Sequence, residues 1–188
     1  MVRVIAGKAK NRRLVAPSGL NTRPITDMIK EAFFNVLGEK VLDAHFLDLF
    51  CGSGSIGIEA LSRGADKVFF IDNSSEAIKT VHANLANCGF TEGFEVYRND
   101  VFKALDILKK RDLKFDVIFA DPPFTNPGIF DKVIKTLDKA AILKEGGILV
   151  IRSKKDREMP EKLDYLIKYR MNVYGDSILH YYRWLRED

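Results

Sequence analysis

Much that would classify a protein at once is missing from this chain of 188 residues. It contains no run of about 18 apolar residues, so no transmembrane helix is expected. Its first 25 residues hold no continuous apolar stretch, and no secretory signal is expected either. The two cysteines, Cys51 and Cys88, lie in unrelated contexts, which argues against a disulfide framework or a cysteine zinc site. The three histidines (His45, His82 and His180) lack ligand spacing. There is no internal repeat, low-complexity tract or long linker. At 46% hydrophobic and 30% charged residues the chain is too apolar for disorder and too charged for a membrane protein. The expectation is one ordinary domain with a small appendage, acting in a reducing cytoplasm.

Acidic residues are also absent from one place, the stretch before Asp27. Residues 1–40 hold eight basic and three acidic groups, a net of +5, whereas the other 148 hold 22 basic and 23 acidic, a net of −1. Lys8, Lys10, Arg12 and Arg13 fall within six residues. On charge alone this is a solvated tail or a contact for a polyanion. A change of period follows. Ile29, Ala32, Phe33, Val36 and Leu37 lie on one helical face, and Gly38 suits its end. Thr26, Asp27, Lys30 and Glu31 cluster at its first turns, toward the basic segment. The division expected is a basic extension over 1–40 and a main domain over 41–188.

From residue 46 strands alternate with helices. Strands are expected at 46–50, 67–71, 94–97, 116–120 and 148–151, with helices at 56–62, at a stretch with Ala77, Ile78, Val81 and Leu85 inward that Gly89 stops, near 101–111 and near 129–141. Asn73-Ser-Ser-Glu76 reads as a capping box ahead of the second of these helices. This α/β pattern predicts a parallel sheet covered on both faces. Residues 165–173 and 178–185 flank Tyr174-Gly175-Asp176-Ser177 with no helix between them, so an antiparallel hairpin should close the sheet edge.

Asp48-Leu-Phe-Cys-Gly52-Ser-Gly54-Ser-Ile-Gly57 sets a G-x-G-x-x-G loop between a strand and a helix. Glycines admit a ligand close to the backbone, and the helix start offers unpaired N–H groups. Asp72 stands twenty residues after Gly52, at the end of the next strand, where a carboxylate can accept from both hydroxyls of a ribose. Asp48 at the loop entrance suits a ligand with a cationic amino-acid end, which favours S-adenosylmethionine over NAD. Asp100, after the third strand, can accept from the adenine amine or cap the following helix. Phe50, Asn73 and Val101, adjoining these groups, complete the candidate cofactor set.

After the fourth strand comes Asp121-Pro122-Pro123-Phe124. The prolines make a rigid turn whose carbonyls point outward. The Asp121 side chain and the Pro122 carbonyl can together accept both hydrogens of one –NH₂, and Phe124 offers a face for a flat base. The lone pair of such an amine is delocalised into its ring. Two acceptors can turn it toward a sulfonium methyl, with orientation supplying most of the acceleration. Cys51 reads as structural.

With these motifs in place, the chain resembles the RsmD-type bacterial 16S ribosomal RNA guanine-N2 methyltransferases. The likeness runs from Arg3 to about Trp184. It is carried by Arg3-Val-Ile-Ala-Gly-Lys8 with Arg12-Arg-Leu14, and by Arg23-Pro-Ile-Thr-Asp27 with Lys30-Glu-Ala-Phe-Phe-Asn35. It continues through Leu47 to Gly54, Glu59-Ala-Leu-Ser-Arg-Gly64, Asp121 to Phe124 and Tyr174-Gly175. The resemblance implies a Rossmann-like class I methyltransferase fold with a seven-stranded, mostly parallel sheet and a small N-terminal extension. It implies S-adenosylmethionine as methyl donor and N2 of a guanine in small-subunit ribosomal RNA, naked or in a protein-bound assembly particle, as acceptor. A monomer without membrane contact is expected. RNA contacts are expected at Lys8, Lys10, Arg12, Arg13, Arg23, Thr26 and Lys30. Two departures touch that surface: Asn11 stands where the family usually has Gly, and Met28 where it usually has Arg.

Adenine N6 in DNA also fits the D-P-P-F turn, but the chain has no separate region large enough to read a duplex site. A protein glutamine acceptor leaves the basic arm without a purpose. A non-catalytic RNA-binding assembly factor would need neither the glycine loop nor D-P-P-F intact.

Overall fold

The structure, a computed structural model, describes residues 2–18, 25–126 and 128–185. Its centre is a seven-stranded sheet built from β3 (His45–Leu49), β4 (Lys67–Asp72), β5 (Phe94–Arg98), β6 (Phe115–Ala120), β7 (Leu143–Lys154), β8 (Leu166–Tyr174) and β9 (Ser177–Trp184). The spatial order is β5-β4-β3-β6-β7-β9-β8. β3 pairs in parallel with both β4 and β6, so the winding reverses between β3 and β6. In open α/β sheets ligands bind at that reversal, beyond the carboxyl ends of the strands. The expected hairpin forms from β8 and β9, with β9 running antiparallel between β7 and β8. No helix among the described residues is long and apolar enough to cross a membrane.

Period-two alternation sorts the strand side chains onto two faces. Phe46, Val68, Phe70, Val117, Phe119 and Val150 join one buried cluster. It is covered by α1 (Asp27–Leu37), α2 (Ser55–Ser62) and α3 (Ser75–Asn87). Leu47, Leu49, Phe69, Ile71, Ile118 and Ile151 join the other, under α4 (Val101–Lys110) and α5 (Ile129–Ala140). The third glycine of the loop acts in this packing. A Cβ built on Gly57 would stand 2.3 Å from Phe70 Cε1 and 2.8 Å from Val68 Cγ1, so only glycine lets α2 lie this close to β4.

The N-terminal segment is pinned to α2. Its two short strands, β1 (Val2–Arg3) and β2 (Arg13–Leu14), pair antiparallel. Between and beside them the backbone is bonded to side chains of the main sheet's helices. Glu59 accepts from Ile5 N at 2.8 Å and Ala6 N at 3.0 Å. Ser62 Oγ accepts from Ala9 N, and the Asn84 amide bonds both the N–H and the C=O of Val15. Val4, Ala9 and Leu14 share the cluster of α1, α2 and α3. Asn11 sits at φ 69°, in the left-handed region where asparagine follows glycine in tolerance.

Two expectations are corrected. Lys30, assigned to an RNA-facing surface, is 0% exposed. It shares a helical face with Phe33, Phe34 and Leu37, stands 3.5 Å from Glu59 and donates to the Arg3 carbonyl. Burial lowers its pKa against the pull of Glu59. The capping box at Asn73–Glu76 does not form. Asp72 Oδ1 accepts from Ser74 N, carrying the turn one residue on, and Ser74 caps α3 by accepting from Ala77 N. Glu76 instead accepts from Ser18 Oγ.

Gly57→Ala should destabilise the fold by about 1–3 kcal/mol through overpacking against Phe70 and Val68. Chemical denaturation checks this; an unchanged midpoint would mean that α2 shifts freely on the sheet.

Candidate active site

The carboxyl ends of β3, β4, β6 and β7 open into a cavity of ≈ 1200 Å³. The glycine loop forms one wall. Phe50, Gly52 and Gly54 all have positive φ (57°, 54° and 73°), so three residues in five are left-handed and the chain turns sharply out of β3 into α2. Phe50 is a non-glycine residue in that region, and such strain gathers at functional sites. The loop is held from β4: Cys51 N donates to Ile71 O at 3.1 Å, and Gly52 N donates to Asp72 Oδ2 at 2.9 Å. No atom stands within 4 Å of a Cβ built on Gly52, so a ligand can approach this backbone closely.

Five carboxylates line the cavity: Asp48, Asp72 and Asp121 at the strand ends, and the exposed Asp156 and Asp176 at its rim. Asp48 is 2% exposed and accepts from Gly57 N at 3.0 Å. Burial raises its pKa well above the ordinary range; the Gly57 N–H opposes this, while Asp121 and Asp72 push it further up. Burial likewise pushes up the Cys51 thiol, keeping it a poor nucleophile in this wall. Acids crowded in this way favour a ligand that brings positive charge, which would relieve their repulsion.

The opposite wall is Asp121-Pro122-Pro123-Phe124, directly after β6. Asp121 N donates to Leu49 O, which ties the turn to β3. Asp121 Oδ2 accepts from Arg152 Nη1 at 2.8 Å. Phe124 has the Arg152 guanidinium carbon 5.2 Å from its ring centre, and Phe130 at 6.1 Å. Arg152 was not foreseen. It is a cation that continues the apolar run Ile148–Ile151 near the carboxyl end of a parallel strand, and that position is the trace it leaves in the sequence.

The structure thus brings Asp48, Phe50, Gly52, Asp72, Asn73, Asp121, Pro122 and Phe124 around one space. Other candidates stand elsewhere. Gly54 caps α2 from outside the lining. Asp100 caps α4, accepting from Phe102 N and Lys103 N, and Val101 is buried under that helix. Lys8, Lys10, Arg12 and Arg13 are exposed on the N-terminal segment. Thr26 caps α1 by accepting from Ile29 N, and Met28, two residues on, is 60% exposed. Arg23 lies outside the described residues. Ala16, Pro17 and Ile25, from either side of that gap, line the cavity.

Comparison with known proteins agrees with this geometry. The family described as conserved hypothetical protein 95 matches residues 2–183. A Bacillus subtilis (strain 168) protein provisionally named rRNA methyltransferase YlbH is 42% identical over 175 residues, covering 93% of this chain and 94% of that protein. The Haemophilus influenzae protein named ribosomal RNA small subunit methyltransferase D is 33% identical over 183 residues, covering 90% and 92%. Among solved structures, the fold is similar to a hypothetical protein of Thermus thermophilus, with TM-score 0.84, 27% identity and coverage of 96% and 98%. It is equally similar to an Escherichia coli protein provisionally described as the methyltransferase yhhF, with TM-score 0.84, 28% identity and coverage of 97% of each chain.

Asp72→Ala removes the clamp on Gly52 together with the carboxylate expected to accept from a ribose. It should weaken binding of S-adenosylhomocysteine by about 10- to 100-fold, the worth of one charge-assisted hydrogen bond. Titration calorimetry checks this; unchanged affinity would remove Asp72 from the cofactor site.

Proposed function

The chain belongs to the conserved hypothetical protein 95 family, to which the ribosomal RNA small subunit methyltransferases D belong, and from that premise we propose that it methylates the N2 amine of a guanine in 16S ribosomal RNA. The methyl donor in this reading is S-adenosylmethionine, and the acceptor is small-subunit RNA, naked or in an assembling particle. The chain acts as a monomer in the cytoplasm. One observation carries the reading. The amine acceptors of the D-P-P-F turn and the carboxylates around the glycine loop face the same cavity.

The residues fit the donor. Asp72 and the open backbone at Gly52 would hold its adenosine part, and the buried Asp48 would face its ammonium. S-adenosylmethionine supplies a methyl group on a sulfonium, a good leaving group that makes the carbon electrophilic.

What the chain supplies is orientation and charge. The Asp121 carboxylate and the Pro122 carbonyl accept the two hydrogens of the guanine amine, turning its lone pair out of the ring plane. Phe124 holds the base flat, a stacking contact worth about 1–3 kcal/mol. The amine becomes acidic only as its new bond forms, so no strong base is needed. Asp121, whose pKa burial raises against the pull of Arg152, is placed to take the proton released. The exposed cations Lys8, Lys10, Arg12 and Arg13 contact phosphates, and the backbone bonds of Ile5 and Ala9 to α2 keep their segment in register with the cavity.

Labelled methyl transfer to small-subunit RNA and particles from a strain lacking this gene tests the proposal, with nucleoside mass analysis of the product. N2-methylguanine is expected, and Asp121→Ala should lower the rate by about 100-fold or more while RNA binding persists. Label found in methyladenine or in protein, or undiminished transfer by Asp121→Ala, would overturn it.

A further inference from the structure

The reaction above leaves one buried charge unexplained. Arg152 is 2% exposed, and burying a guanidinium is costly unless partners engage it fully. Two of its contacts lie on the acceptor wall and a third on β9. Nη1 donates to Asp121 Oδ2 at 2.8 Å, Nε donates to Ser177 Oγ at 3.3 Å, and the guanidinium carbon lies 5.2 Å from the Phe124 ring centre.

We propose that Arg152 is the positioning residue of the amine clamp, gripping one oxygen of Asp121 and backing the ring of Phe124 so that the second oxygen of Asp121 is presented to the amine. The inference rests on the reading of Asp121 as an amine acceptor. Arg152 holds Asp121 through Oδ2, and no described residue is seen donating to Oδ1. The carboxylate is therefore fixed in angle yet keeps an oxygen for the substrate. A planar guanidinium can bond a carboxylate in its plane while lying against an aromatic ring, which the compact ammonium of lysine cannot do. One side chain thus sets the two parts of the clamp relative to each other.

The charges around Asp121 give the arrangement a pH signature. Asp48 at the end of β3 and Asp72 at the end of β4 bring negative charge to the cavity, as do Asp156 after β7 and Asp176 in the β8–β9 turn. Lys154 and Lys155 also line it, and these two cations and the two anions Asp156 and Asp176 are alike exposed to solvent, which screens all four. Burial raises the Asp121 pKa, and Arg152 is the group that opposes the rise. Without Arg152 that pKa climbs further, the ionised fraction at a given pH falls, and transfer is lost at a higher pH than in the parent.

The test is the pH profile of single-turnover methyl transfer to small-subunit RNA at saturating RNA, from about pH 5.5 to 9.5. For Arg152→Gln we expect the acidic limb to move up by about one pH unit or more, with the rate recovering toward alkaline pH. Arg152→Lys retains the charge but not the stacking fork. It should leave the limb near its parental position and lower kcat several-fold with KM for RNA little changed. In an Asp121→Asn background, Arg152→Gln should move nothing further. An unmoved limb in Arg152→Gln, or a loss equal at every pH, overturns the proposal. If that variant does not fold, Arg152→Lys decides, and a change confined to KM overturns it. Absence of transfer by the parent protein overturns the underlying reading as well, whereas transfer with an unmoved limb overturns this inference alone.

Discussion

One buried carboxylate ties the basic end of the molecule to its catalytic end. Glu59 is 0% exposed in the middle of α2, the helix that springs from the glycine loop. It accepts from the backbone of Ile5 and Ala6, accepts from Arg63 Nε at 2.7 Å and stands 3.5 Å from Lys30, itself buried. A buried ion pair adds little net stability, but breaking one by removing a partner typically costs about 3–5 kcal/mol. The chain therefore keeps the N-terminal strands and α1 docked on α2. The cations of that segment are held at a set distance from the cavity instead of trailing in solvent.

The cavity depends on a similar opposition of forces. Its walls come from the carboxyl ends of strands on both sides of the winding reversal, so the fold alone brings Asp48, Asp72 and Asp121 together. Burial favours the neutral forms of Asp48 and Asp121, and each is offset locally, Asp48 by Gly57 N and Asp121 by Arg152, while Asp72 accepts from Gly52 N and Ser74 N. Two of these donors are backbone groups of the loop itself. Loop geometry and acid orientation are one construction, which is why a positive φ at Phe50 and at two glycines is tolerated here.

Much of this was legible from local pattern. The alternation of Leu47 and Leu49 with Phe46 and Asp48, and the helical spacing of Ala77, Val81 and Leu85, are short-range properties that read directly as strand and helix. The glycine loop and D-P-P-F were legible because their chemistry is contiguous in the chain. Roles that depend on contacts between distant residues were not. Lys30 looked like a surface cation because its partner, Glu59, is 29 positions away. Arg152 reads as a charge ending a strand until Asp121 and Phe124 are seen beside it. The start of α3 moved by one residue because Asp72 bonds Ser74 as well as Gly52, a choice that local capping preferences do not weigh.

Glu59 holds the basic segment in register with the cavity, and amide hydrogen exchange on Glu59→Gln checks this. Exchange at Ile5, Ala6 and Ala9 should accelerate by about tenfold or more while amides of β4 and β6 keep their protection. S-adenosylhomocysteine affinity should be retained and methyl transfer to RNA should fall. Unchanged exchange at Ile5 and Ala6, or a loosened segment with undiminished transfer to RNA, would contradict it.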